Sequence, residues 1–152
     1  MRPATAADLS FLTEAFLISL RDAITAARGC WDEVLERAQF HEQLDIGGTR
    51  IIVSAGREVG FVTAVASATE VFLHTLCILP QHQGRGIGTA VTREVMSGAR
   101  RRGLAIALTV LKTNPSARRL YERLGFVVVE ELEHHHRLRH PGLSAPPAEG
   151  SR

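Results

Sequence analysis

The sequence predicts a mixed α/β (α+β) domain, with a mostly antiparallel sheet of six to seven strands and helices on both faces. Three observations predict it. Two helix-periodic stretches open the chain. Three short β-branched runs joined by tight turns follow. A strand, a glycine-rich loop and a helix then sit in the middle, ahead of further alternating elements.

The elements follow in order. Leu9, Leu12, Phe16, Leu20 and Ile24 recur at three- and four-residue steps, which predicts a helix over about 9–28, with Asp8 as its cap and Gly29 as its stop. A second helix runs from about Trp31 to Gln43, and Gly47-Gly48 breaks the chain. Residues 50–54 read as a strand, Ala55 to Glu58 as a hairpin turn, Val59 to Ala68 as a second strand and Val71 to Leu79 as a third. Pro80 stops that strand. After the loop, Ile87, Val91, Val95 and Ala99 mark one face of a helix that Gly103 ends. Leu104 to Leu111 is an apolar run, read as a buried strand. Asn114-Pro115 starts a helix, with Asn as cap and Pro at its first position, and Leu120, Tyr121 and Leu124 form its inner stripe. Residues 126–131 and 135–139 are the last strands. The segment from Pro141 to 152 is rich in Pro, Gly, Ser and Ala and is expected to be a disordered tail, which leaves 1–140 as one domain.

Composition excludes several classes. Hydrophobic residues make up 45% and charged residues 22% of 152, enough for a core. Lys and Arg number 18 against 16 Asp and Glu, a balance that argues against a nucleic-acid binder. No apolar run approaches the roughly 20 residues of a membrane span, and the first eight residues hold no signal-peptide core. Cys30 and Cys77 form neither a disulfide framework nor a metal motif, so a cytoplasmic setting is expected. Four of the seven histidines fall in 134–140, but no cysteine or acid-rich partner stretch accompanies them and no metal is expected.

The segment Gln83-Gly84-Arg85-Gly86-Ile87-Gly88 carries the chemistry. Three glycines in five positions let a backbone approach an anion closely, and the following helix start offers free N–H groups. The Gly-Lys pair of a P-loop is absent, and G-x-G-x-G is not the dinucleotide spacing.

This segment resembles Q/R-x-x-G-x-G/A, the acetyl-CoA pyrophosphate loop of the GNAT acetyltransferase superfamily. Asn114 to Phe126 resembles that family's second signature, N-x-x-A-x-x-x-Y-x-x-x-G-F, and Arg2 to Thr5 with Asp8 resembles its first strand and helix cap. The resemblance adds a leading strand and implies the order βααβββαβαββ. It implies an N-acetyltransferase that moves the acetyl group of acetyl-CoA to a primary amine in a ternary complex. A non-catalytic acyl-CoA-binding module is the alternative.

The resemblance also implies roles. Backbone at Gln83, Gly84, Arg85, Gly86, Ile87, Gly88 and Thr89 would hold the pyrophosphate. Backbone near Cys77 and Ile78 would pair with the pantetheine arm, in a split between the strands ending near Leu79 and Leu111, and a β-bulge there would free an N–H for the thioester oxygen. Asn114 would contact the cofactor while capping its helix. Tyr121 would be the general acid, since a phenol near pKa 10 can protonate a leaving thiolate. His74, on the third strand, is the candidate base, with Glu70 second. Arg118 and Arg119 are candidates for the 3′-phosphate. The acceptor would be a small-molecule or peptide amine, and dimerisation is common in that superfamily.

Overall fold

The computed structural model describes residues 1–142. The elements are β1 (Arg2–Pro3), α1 (Leu9–Arg28), α2 (Glu33–Gln43), β2 (Thr49–Ser54), β3 (Arg57–Ala66), β4 (Glu70–Ile78), α3 (Ile87–Arg101), β5 (Ala105–Leu111), α4 (Pro115–Arg123), β6 (Val127–Glu131) and β7 (His135–Arg139). They form one seven-stranded sheet, in the order β1-β2-β3-β4-β5-β7-β6. All neighbours are antiparallel except β4 and β5. This is the predicted mixed sheet, with the predicted element order. Nearly all of the expected tail lies outside the described residues. Within them, Gly142 N–H donates to His140 Nδ1 at 3.1 Å.

Alternation along the strands builds two cores, one on each face. Ile51 and Phe61 pack with Leu12, Ala15 and Phe40 of α1 and α2. Their neighbours Ile52 and Val62 pack with Val91, Met96 and Ala99 of α3 and Tyr121 of α4. Strand β5 is buried on both sides: Ala105 to Leu108 are each 0% exposed. A strand covered on both faces reads as a continuous apolar run.

Two expected helix starts differ. Asp8 does not cap α1. A 3-10 turn over Ala6–Asp8 precedes that helix. The Asp8 carboxylate accepts from Thr5 N–H at 2.8 Å and pairs with Arg2 at 2.8 Å. That pairing holds the carboxyl well below its usual range. Helix α2 starts at Glu33, because Asp32 Oδ1 accepts from Leu35 N–H at 3.1 Å and caps it there. The hairpin between β2 and β3 turns on Ala55 (φ 50°) and Gly56 (φ 76°), both left-handed as a two-residue hairpin turn requires. Among the described residues, no helix is long and apolar enough to cross a membrane.

Candidate active site

The sheet opens between its two parallel strands. β4 and β5 pair only from Glu70–Ala105 to Leu73–Leu108. Beyond that point β4 runs on to Ile78 and β5 to Leu111, with no pairing between them. The cause lies in β4. Thr63 of β3 pairs with Thr75 and Ala64 pairs with Leu73, so His74 is an extra residue in the ladder. Such a bulge bends its strand and increases the twist. It also reverses the alternation: Val71 and Leu73 belong to the α3 side before it, Leu76 and Ile78 after it.

The bulge was expected beside Cys77 and Ile78 but falls at His74. The end of the ladder is too close to admit one. A Cβ on Gly60 would lie 2.0 Å from Cys77 O, so only glycine permits this approach of β3 to β4. That carbonyl faces β3, and Leu79 N–H donates to Val59 O at 2.8 Å. Alternation of the ladder then turns the backbone groups of Cys77 to β3 and those of Leu76 and Ile78 to the open split. Cys77 is therefore not a backbone partner for anything bound in the split, and its side chain is 1% exposed. Burial pushes its thiol up to about 12.

The glycine-rich loop follows a 3-10 turn at Pro80–His82. Gly84 (φ 75°) and Gly86 (φ 80°) are left-handed, and a Cβ on either would meet no atom within 4 Å. The loop is an open backbone surface, not a packed turn. Ala90 N–H bonds back to Gly86 O at 3.0 Å. The N–H groups of Ile87, Gly88 and Thr89 precede it in the first turn of α3, where none has a helical acceptor, and they stand at the positive end of the helix dipole. Gly88 also keeps α3 close to α4, since a Cβ there would press on Leu120 at 3.1 Å. Gln83 acts as a strap: its Nε2 donates to Ile78 O at 2.9 Å. A cavity of about 600 Å³ runs from Gly84, Gly86, Gly88 and Thr89 past Ile78 to Arg119 and Arg123 of α4. Arg85 is exposed and does not line it. Arg118 is held elsewhere, paired with Glu122 and 3.1 Å from His136 Nε2.

A second cavity, of about 450 Å³, lies between α1, α2, the bulged part of β4 and the start of β7. The two cavities share Leu20, Leu76, Asn114, Ala117 and Tyr121. Tyr121 is 6% exposed and stacks edge-on against Phe126, with ring centroids 5.8 Å apart. Its hydroxyl makes no hydrogen bond to the described residues. Burial, with a smaller contribution from Cys77, raises its pKa above the ordinary phenol value. Asn114 Oδ1 accepts from Ala117 N–H at 3.3 Å and caps α4 as expected.

His74 lines the second cavity, exposed and 4.7 Å from the Phe72 ring. Glu70 does not line it. Its carboxylate is 3.2 Å from Arg137 Nη2, so an ion pair occupies the group expected as a second base. His134 and His135 line the cavity as well, whereas His136 is turned to Arg118 and Glu131. The His135 imidazole is held below its ordinary value by burial, then by His134 and Arg28. Sequence reasoning missed Arg28, Glu36 and Gln39, which also line this cavity. Trp31 does not line it and lies under the Arg21 guanidinium at 5.4 Å.

Comparison with known proteins agrees with this fold. The fold is similar to PaiA N-acetyltransferase from Thermoplasma acidophilum in complex with coenzyme A. The TM-score is 0.71 at 18% identity, covering 91% of this chain and 95% of that one. An acetyltransferase from Thermus thermophilus gives a TM-score of 0.68 at 20% identity, covering 91% and 92%. In sequence, the chain is 25% identical to a Salmonella typhimurium L-methionine sulfoximine/L-methionine sulfone acetyltransferase, covering 87% of this chain and 82% of that enzyme. It is 32% identical over 74 residues to mouse thialysine N-epsilon-acetyltransferase, covering 48% of this chain. The match spans only 44% of the mouse enzyme's length. Residues 18–126, most of the chain, match the family model for GNAT acetyltransferases. An open glycine cradle, a split parallel pair and a tyrosine between two cavities are thus set in a chain that belongs to the GNAT acetyltransferase family.

Proposed function

We propose that residues 1–140 form an N-acetyltransferase that transfers the acetyl group of acetyl-CoA directly to a primary amine while both substrates are bound. One observation carries the reading: two cavities enter the β4–β5 split from different sides and meet at Tyr121. The first suits acetyl-CoA. Free N–H groups of the loop and of the first turn of α3 fit a pyrophosphate, Arg119 and Arg123 fit a further phosphate, and the backbone of Leu76 with the N–H of Ile78, whose carbonyl is taken by Gln83 and Ser19, fits an extended amide arm. Bound there, acetyl-CoA supplies an activated acyl group on a thiol leaving group.

The residues then divide the proton work. His74, at the second cavity, takes the proton that the amine loses on attack. Tyr121 donates its phenolic proton to the departing sulfur. The new bond is C–N and the broken bond is C–S. Burial keeps Tyr121 protonated, as a donor must be. The Cys77 thiol is buried and raised to about 12, which argues against an acetyl-cysteine step. The acceptor is a small-molecule amine, which the 450 Å³ cavity accommodates. The names of the Salmonella and mouse enzymes, which specify amino-acid-like substrates, support that class. An acyl-CoA-binding module without catalysis would need the first cavity alone, so the second favours an enzyme. With Cys30 and Cys77 both free thiols, a cytoplasmic setting fits the same reading.

The test is ligand-dependent unfolding followed by an amine screen. Acetyl-CoA at about 100 times its Kd stabilises by about 2.7 kcal/mol, a rise in Tm of roughly 5–10 °C for a chain of this size. ATP and NAD serve as controls. Thiol release with an amine present is the expected second result. A shift with ATP or NAD but none with acetyl-CoA overturns the cofactor assignment. A shift with acetyl-CoA and no transfer to any amine favours the binding module.

A further inference from the structure

The second cavity holds an ion pair that the transfer chemistry does not use. Arg28 is the last residue of α1 and Glu36 lies in the first turn of α2. Glu36 is 4% exposed, and its carboxylate accepts from Arg28 Nη1. Gln39 Oε1 accepts from the same nitrogen at 3.3 Å. Arg28 Nε and Nη2 have no partner among the described residues. The Arg28 side chain remains 45% exposed on the cavity wall, at a helix C-terminus that suits a cation. A guanidinium held on one side and open on the other matches a planar oxyanion through two parallel N–H···O bonds.

The charges around the cavity select the ligand class. Arg28, Glu36, His74, Tyr121, His134 and His135 are the titratable groups that line it. Glu36 is the single carboxylate among these six, and it is buried against Arg28. An ammonium group entering beside the reacting amine finds no free anion. A carboxylate finds the open edge of Arg28.

We infer that the acceptor is an amino acid, or an amine of the same kind, whose carboxylate docks on the Nε–Nη2 edge of Arg28. Glu36 and Gln39 are positioning residues that hold the guanidinium for it. This inference rests on the acetyltransferase reading and narrows its substrate class to carboxylate-bearing amines, excluding polyamines.

The experiment measures kcat/KM for the twenty common L-amino acids and for the carboxamide of each, with acetyl-CoA binding followed by calorimetry in the same preparations. Removing Arg28 alone would strand a buried carboxylate, so the comparison uses the double variant Arg28→Gln/Glu36→Gln. For the best-used pair, the wild type is expected to prefer the acid over its carboxamide by about 10- to 100-fold, the range of a charge-assisted contact. In the double variant that ratio is expected to fall to about one. Glu36→Gln alone is expected to raise KM for the acid while kcat holds, which a purely structural residue would not do selectively. A wild type that binds acetyl-CoA but uses the carboxamides as well as or better than the acids, or uses neither series, overturns the subsite alone. A preference that survives in the double variant also overturns it. A wild type that binds no acetyl-CoA overturns both readings.

Discussion

Replacing Tyr121 with phenylalanine separates its chemistry from its packing. The ring is 6% exposed and packs on Phe126 at 5.8 Å, and phenylalanine preserves both features. The hydroxyl bonds to none of the described residues, so its removal breaks no internal hydrogen bond. The hydroxyl oxygen is not buried and meets the cavities, so no stranded polar group is relieved and folding stability should change by less than about 1 kcal/mol either way. The rate behaves differently. A general acid contributes about 10²- to 10⁴-fold, or roughly 3–5 kcal/mol of barrier. The assay is thiol release at saturating acetyl-CoA and amine from pH 6 to 10, with Tm recorded on the same samples. Because burial raises the phenol above its ordinary value near 10, wild-type turnover should show no fall from Tyr121 below about pH 10. Tyr121→Phe should lose at least about 100-fold in kcat across that range, with Tm within about 5 °C of wild type. A kcat within about threefold of wild type refutes the acid role. A Tm lower by more than about 5 °C refutes the claim that the hydroxyl is structurally idle.

Three further outcomes follow from the geometry. Gly60→Ala forces a Cβ to within 2.0 Å of Cys77 O, where ordinary contact begins at 3.4 Å. The strands must separate there, and urea unfolding should show a loss of about 3 kcal/mol or more from overpacking and broken ladder bonds; a loss below about 0.5 kcal/mol contradicts the register. His74→Ala should lower kcat/KM by about 100-fold or more and alter its pH profile, whereas an unchanged value and profile remove the base assignment. His135 is held below its ordinary value, so the unfolded chain takes up its proton first as pH falls. The folded state therefore loses stability as pH falls through about 6.5, and His135→Gln should flatten the stability slope just below that pH; equal slopes contradict it.

Local patterns made most of the fold legible. The three-and-four spacing of Leu9 to Ile24 predicts α1, and Gly29 ends it with a left-handed cap (φ 79°). The β-branched run at 50–54 and the turn at Ala55-Gly56 predict the first hairpin. The glycine cradle was legible because open, left-handed backbone has few other causes. The bulge was misplaced, although its signal was present: apolar side chains sit at Val71 and Leu73, then at Leu76 and Ile78, a slip of phase across His74. Contacts between distant parts of the chain left no local trace. Glu70 meets Arg137 from 67 positions away, and Arg118 meets His136 across two elements. Arg28 and Glu36 look like solvated helix charges until α1 and α2 fold against each other. The second cavity draws its lining from α1, α2, β3, β4, β5, α4 and the start of β7, whereas the first centres on the continuous motif at 83–89, closed by α1, β4 and α4.

The central claim is direct transfer across the split with both substrates bound. Initial velocities with acetyl-CoA and an accepted amine each varied against several fixed concentrations of the other test it most directly. Lines that intersect in a double-reciprocal plot are the predicted result. Parallel lines, with an acetylated protein detected by intact mass when the amine is withheld, would contradict it and place a covalent step on the chain itself.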